Sequence, residues 1–126
     1  MELTTELFDA WTNEQSEDAI KAIAASKKVK TIITPDGIFA GRFPDGHILS
    51  TPLNLTQATM EKLLNATETS GMSELDQLKV LVDLVGNDAD GEYVASADLL
   101  SLLDYARKYF DAFERISQVS MGESLG

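Results

Sequence analysis

Residues 29–55 read VKTIITPDGIFAGRFPDGHILSTPLNL, and Pro-Asp-Gly occurs twice within them, at Pro35-Asp36-Gly37 and Pro44-Asp45-Gly46. Pro presets φ for the first corner of a turn. Asp can bond its own backbone, and Gly supplies the positive φ that closes the turn. Around the two turns lie short runs rich in Val, Ile, Phe and Leu: Val29 to Thr34, Ile38 to Phe43, and His47 to Leu55. Two turns and three such runs predict a three-stranded antiparallel meander. The rest of the chain carries helical periodicity. The expected fold is therefore α+β, with a meander preceded and followed by α-helices and mostly helical overall.

Helices are predicted near 12–26, 56–66, 74–85 and 97–117. Thr12-Asn13-Glu14-Gln15 fits a capping box, and Ala19, Ile20, Ile23 and Ala24 share one face of the helix it opens. Thr56 caps a helix with Met60, Leu63 and Leu64. Ser73-Glu74-Leu75-Asp76 resembles a second capping box, ahead of Leu75, Leu78, Leu81, Val82 and Val85, with Gly86 as the natural C-cap. Ser96 is the expected N-cap of the last helix. Its apolar stripe is Leu99, Leu102, Leu103, Ala106, Phe110 and Phe113, with Tyr105, Tyr109 and Ile116 widening it. Asp104 with Lys108, and Asp111 with Arg115, are i,i+4 pairs in the favoured order. Upstream of all these, Leu3, Leu7, Phe8 and Trp11 fall on one helical stripe. Residues 1–11 are thus expected to form a short amphipathic arm, and residues 119–126 a flexible tail.

A length of 126 residues suits a single small domain. The acidic start lacks a signal peptide's basic and apolar regions, and no apolar run is long enough to span a bilayer. With no cysteine, disulfides and thiolate chemistry are excluded. The formal net charge is −11, and residues 61–126 hold 13 of the 21 acids against five of the ten bases. A nucleic-acid binder needs a positive stripe, and the only basic cluster is Lys27, Lys28 and Lys30. An anionic membrane would repel such a chain.

No residue set reads as catalytic, cofactor-binding or metal-binding. Asp83, Asp88, Asp90 and Glu92 surround Gly91, but a calcium-loop register lacks both its first Asp and its terminal Glu, so a solvated acidic loop is expected. His47, the only histidine, has no nucleophile and acid near it in sequence and reads as a strand residue. Gly41-Arg42 lies inside a strand and not at a strand–helix junction, so it makes no phosphate cradle. Arg42 is expected to pair with a carboxylate on the sheet face.

Two stretches, read with the order of elements, carry a resemblance. Thr51-Pro52-Leu53-Asn54-Leu55 leads from a strand straight into a helix, and Ser117-Gln118-Val119-Ser120-Met121-Gly122-Glu123-Ser124 follows the long aromatic helix. In this, residues 29–124 resemble the tail assembly chaperones of long-tailed (siphovirus-type) bacteriophages, especially those of actinobacteria. That family has a β-hairpin running into Pro-Leu-x-Leu and a shorter product ending near Gly-Glu-Ser. Leu125-Gly126 and the extra Met121 depart from its pattern. The resemblance implies a non-enzymatic protein of the host cytoplasm, absent from the mature virion, which binds the tape measure protein and keeps it soluble. It further implies a frameshift-extended form of the same chain and tail-tube subunits as associates. A homo-oligomer is a separate expectation, and symmetric self-association is equally a feature of a connector protein. No cofactor is implied. The arm's stripe of Leu3, Leu7, Phe8 and Trp11 is the expected partner contact, the equal alternative being that Phe8 and Trp11 close the core of their own chain or of a neighbouring copy. Two other classes stay open: a structural or connector protein of a phage particle, and an acidic host-directed inhibitor. Against the inhibitor, Arg107, Lys108 and Arg115 interrupt the acids of the last helix.

Overall fold

The computed structural model describes residues 2–66 and 74–125. In chain order the elements are α1 (Thr5–Ala10), α2 (Asn13–Ser26), β1 (Lys30–Ile33), β2 (Ile38–Arg42), β3 (Ile48–Pro52), α3 (Gln57–Ala66), α4 (Glu74–Val85), α5 (Asp88–Ser96) and α6 (Leu99–Leu125). The strands form one antiparallel sheet in the order β1-β2-β3, with Ile33 opposite Phe39 and Phe39 opposite Thr51. The α+β, mostly helical fold expected of the sequence is the one observed.

Both Pro-Asp-Gly turns close as expected. Gly37 donates to the Thr34 carbonyl at 3.1 Å and Gly46 to the Phe43 carbonyl at 2.8 Å. Their φ values are +88° and +91°, the left-handed residue that ends a three-residue hairpin loop. The Thr34 hydroxyl bonds the Asp36 carboxylate across the first turn. Beyond β3 the chain folds back on that turn. Leu53 N–H donates to the Gly37 carbonyl at 2.7 Å, and Asn54 Nδ2 donates to the Asp36 carbonyl at 3.1 Å.

The core lies between the inner face of the sheet and α6, closed by α4. Tyr105 and Tyr109 are fully buried and meet Phe39 edge-on at 5.1 and 5.4 Å. Each hydroxyl is satisfied. Tyr105 shares a 2.7 Å hydrogen bond with the buried Thr51 hydroxyl, and Tyr109 donates to the Pro52 carbonyl at 2.6 Å. Gly41 makes room for this packing. A Cβ there would stand 2.7 Å from both Tyr105 Cδ2 and Val29 Cγ1. Val29 is held from both sides: its N–H donates to Asp104 Oδ2 at 2.8 Å, and its carbonyl accepts from Lys108 Nζ at 2.8 Å. The Asp104–Lys108 pair itself closes at 2.8 Å.

Several expectations are corrected. The inward face of α6 is Leu102, Tyr105, Ala106, Tyr109 and Ala112, whereas Leu99 is exposed and Leu103, Phe110 and Phe113 are only half-buried. The helix is rotated because the tyrosines fill the gap above Gly41. Ser96 ends α5, and Asp98 caps α6 by accepting from Ser101 N–H at 3.1 Å. The acidic stretch around Gly91 is helix α5 rather than a loop. It is capped by the Asn87 side chain, with Asp88 and Asp90 in the first turn where the helix dipole favours them. His47 precedes β3 rather than lying in it. Among the described residues Arg42 has no carboxylate partner and Asp111–Arg115 forms no ion pair. In place of a tail from residue 119, α6 continues to Leu125. Gly86 does cap α4, donating to the Val82 carbonyl at 2.7 Å. Leu75, Leu78, Leu81 and Val82 are buried as expected. Ser73 of the second proposed capping box lies outside the described residues, as does the Leu64 side chain.

Gly41→Ala is expected to destabilise by about 1–3 kcal/mol, since the added methyl must displace the Tyr105 ring or Val29. Gly46→Ala meets nothing within 4 Å and should cost only the left-handed backbone, about 1–2 kcal/mol. Denaturant unfolding of both variants checks the order. Tyr109→Ala should cost more than Phe110→Ala, because only the former side chain is fully buried.

Candidate partner-binding site

The N-terminal arm is built by local hydrogen bonding. Thr4 Oγ1 accepts from Leu7 N–H at 3.1 Å and starts α1. Trp11 and Thr12 are extended, so the chain turns a corner there. The predicted capping box then opens α2: Gln15 N–H donates to Thr12 Oγ1 at 3.2 Å, and Thr12 N–H donates to Gln15 Oε1 at 2.9 Å. Trp11 Nε1 donates to Ser16 Oγ at 2.7 Å and pins the indole across the corner.

These bonds gather all four sequence-predicted contact residues around one cleft. Leu3, Leu7, Phe8 and Trp11, with Ser16, line a space of about 430 Å³. Leu3 is 76% exposed, Phe8 70% and Trp11 38%. Neither α1 nor α2 has a buried residue. The apolar face of α2 therefore does not enter the core: Ile20 and Ile23 are exposed. The arm and α2 around it are acidic, carrying Glu2, Glu6, Asp9, Glu14, Glu17 and Asp18 against Lys21 alone.

Two further apolar surfaces were not picked out by sequence reasoning. On the outer face of the sheet, Ile32 is 57% and Ile48 65% exposed, flanked by the half-buried Ile38 and Ala40. The signal was present: Ile32-Ile33 and Ile48-Leu49 put apolar residues on both faces of their strands, a pattern that goes with two covered faces. At the β1 edge, Ile33, Ala112, Ile116 and Val119 line a groove with Arg115 and Ser120.

A polar and aromatic cluster surrounds the second turn. Tyr93 donates to the Asp45 carboxylate at 3.0 Å, stacks on His47 with ring centres 3.6 Å apart, and meets Phe43 edge-on. The cluster ties the second turn to α5. The backbone N–H of His47 lowers the Asp45 pKa, with Tyr93 adding to the effect. Lys27, bonded to Asp98 at 2.9 Å, lowers the pKa of that carboxyl. Among the described residues no three His, Asp or Glu side chains stand close enough to hold a metal ion. No helix among them is long and apolar enough to cross a membrane.

In comparison with known proteins, the chain matches no family model, no curated protein and no solved structure.

At concentrations low enough to keep the chain monomeric, removing residues 2–11 should leave the melting temperature within about 1–2 °C of the full chain, because nothing in α1 is buried within its own chain. Thermal unfolding followed by circular dichroism checks this. Alkaline pH should destabilise the fold. Burial, with Asp45 second, pushes the Tyr93 pKa up to about 12, and burial raises Tyr105 and Tyr109 as well. The protonated phenols favour the folded state. Their contribution is complete below the ordinary phenol pKa of about 10 and is lost as pH rises through about 12. Melting temperature against pH, with phenolate absorbance, would show the decline.

Proposed function

We propose that this chain is a phage tail assembly chaperone that binds the tape measure protein and keeps it soluble in the host cytoplasm until tail-tube subunits assemble around it. The observation that carries the reading is the arm. An acidic protein holds out a pre-formed apolar cleft of Leu3, Leu7, Phe8 and Trp11, continued by Ile20 and Ile23, which its own core does not use. Apolar patches of this kind, rimmed by polar residues, mark interaction surfaces. A long helical client exposes apolar stripes at three- and four-residue spacing, and such a stripe fits a cleft between helices. The acidic exterior then keeps the complex dispersed.

The residues behind the resemblance fit a scaffold role beside this. Thr51, Pro52, Leu53 and Asn54 join the sheet to the tyrosines of α6 and to the first turn. They make the platform from which the arm projects, and they do no chemistry. A frameshift-extended form of the chain would carry the same arm. Such a protein would leave before the particle is complete.

Co-expression with the tape measure protein of the same phage should raise its soluble yield and give a complex that co-purifies. Because the contact is apolar, the complex should survive 1 M salt, where the Debye length is about 3 Å. Phe8→Ala should weaken the complex about tenfold or more while leaving the fold intact. Failure to bind, together with stoichiometric presence in purified particles, would overturn the proposal in favour of a structural protein.

A further inference from the structure

The sheet's outer face is chemically unlike the rest of the molecule. The chain has 21 acidic residues, yet none stands on β1, β2 or β3. By the alternation of the strands and their register, the outward positions are Lys30 and Ile32 on β1, Ile38, Ala40 and Arg42 on β2, and Ile48, Ser50 and Pro52 on β3. Lys30 and Arg42 are direct neighbours. Two like charges side by side are unfavourable unless an anion answers them, and no carboxylate among the described residues does. The face is thus an apolar patch with a cationic end.

The arm has the complementary composition. Residues 2–26 carry six acids and one base around an apolar cleft and the exposed Ile20 and Ile23. The arm does not cover its own sheet face, where Ile32 and Ile48 stay exposed. The end of α2 is tied to α6, on the opposite side of the sheet. Lys27 bonds Asp98 at 2.9 Å, the Ser101 hydroxyl donates to the Lys27 carbonyl at 2.8 Å, and Ala24 and Lys28 border a cleft shared with Leu100 and Leu103.

We propose that the arm of one copy docks on the outer sheet face of a second copy. Reciprocal exchange of arms closes a two-fold dimer with two equivalent contacts and no open end. In that dimer Phe8, Trp11, Ile32 and Ile48 are covered together, and the arm's carboxylates face Lys30 and Arg42. The docked arm is the state of the free protein, which a client would displace; the inference does not rest on the client reading, since the purified protein alone tests it.

The test is sedimentation or light scattering of the full chain over a range of concentrations, with two variants. Phe8→Asp alters the arm, and Ile48→Glu alters the face. Both positions are exposed, so circular dichroism should match the parent, and melting temperature should differ only by the concentration-dependent increment that dimerisation adds. The parent is expected to sediment as a dimer and each variant alone as a monomer. An equimolar mixture of the two variants should form a dimer again, weaker than the parent, because one intact arm meets one intact face. A parent that stays monomeric at its highest soluble concentration overturns the proposal. So does a dimer that neither variant disturbs, or a mixture that shows no more association than its components.

Discussion

The fold turns on the contact between Tyr105 and the bare backbone of Gly41. The ring lies so close to the strand that a Cβ at position 41 would stand 2.7 Å from it. Gly41 leaves a hole at the middle of the sheet, and the Tyr105 ring occupies it. The buried ring brings a hydroxyl that must find a partner, and Thr51 on the next strand supplies one. Tyr109, one turn on, repeats the arrangement with the Pro52 carbonyl. These two side chains set the rotation of α6 about its axis. That rotation in turn brings Asp104 and Lys108 to the backbone of Val29. A surface i,i+4 pair contributes only about 0.3–0.5 kcal/mol as a rule. Here the pair also satisfies the N–H and carbonyl of a buried residue that no strand pairs, which would otherwise carry the cost of desolvated polar groups.

Around this well-satisfied centre the molecule leaves much apolar surface in water. Among the described residues no buried side-chain nitrogen or oxygen lacks a partner, so the core is closed in both apolar and polar terms. The arm and the outer sheet face contribute almost nothing to it. Such a division separates stability from recognition. The core can hold its shape while the arm, fixed by its own caps and the Trp11–Ser16 bond, is free to be covered by another molecule.

Much of this was legible in the residues. The doubled Pro-Asp-Gly carried the meander, since few backbones other than a three-residue hairpin suit that tripeptide. Thr12 and Gln15 carried the start of α2, and the stripe Leu75, Leu78, Leu81 and Val82 carried the burial of α4. The stripe on α6 was misjudged because Leu99, Leu103, Phe110 and Phe113 satisfy helical spacing as well as the tyrosines do. Spacing states that a helix has a face, and it does not say which of two overlapping faces meets a glycine 64 residues away in sequence. Helix α5 was missed because Asp88, Asp90 and Gly91 look like loop residues when read singly. In place, the Asn87 cap and the helix dipole favour them.

Local chemistry determined what the sequence alone could declare: turn types, helix caps, strand alternation, the grouping of Leu3, Leu7, Phe8 and Trp11, and an acidic exterior. Each depends on residues within a few positions of one another, where sterics and short hydrogen bonds act whatever the rest of the chain does. The tertiary structure alone decided which apolar stripe became core and which stayed in water. Ile20 and Ile23 have the same periodicity as Leu78 and Leu81, yet the first pair is exposed and the second buried. The difference comes from long-range packing, because the inner sheet face is already filled by the tyrosines of α6 and by α4.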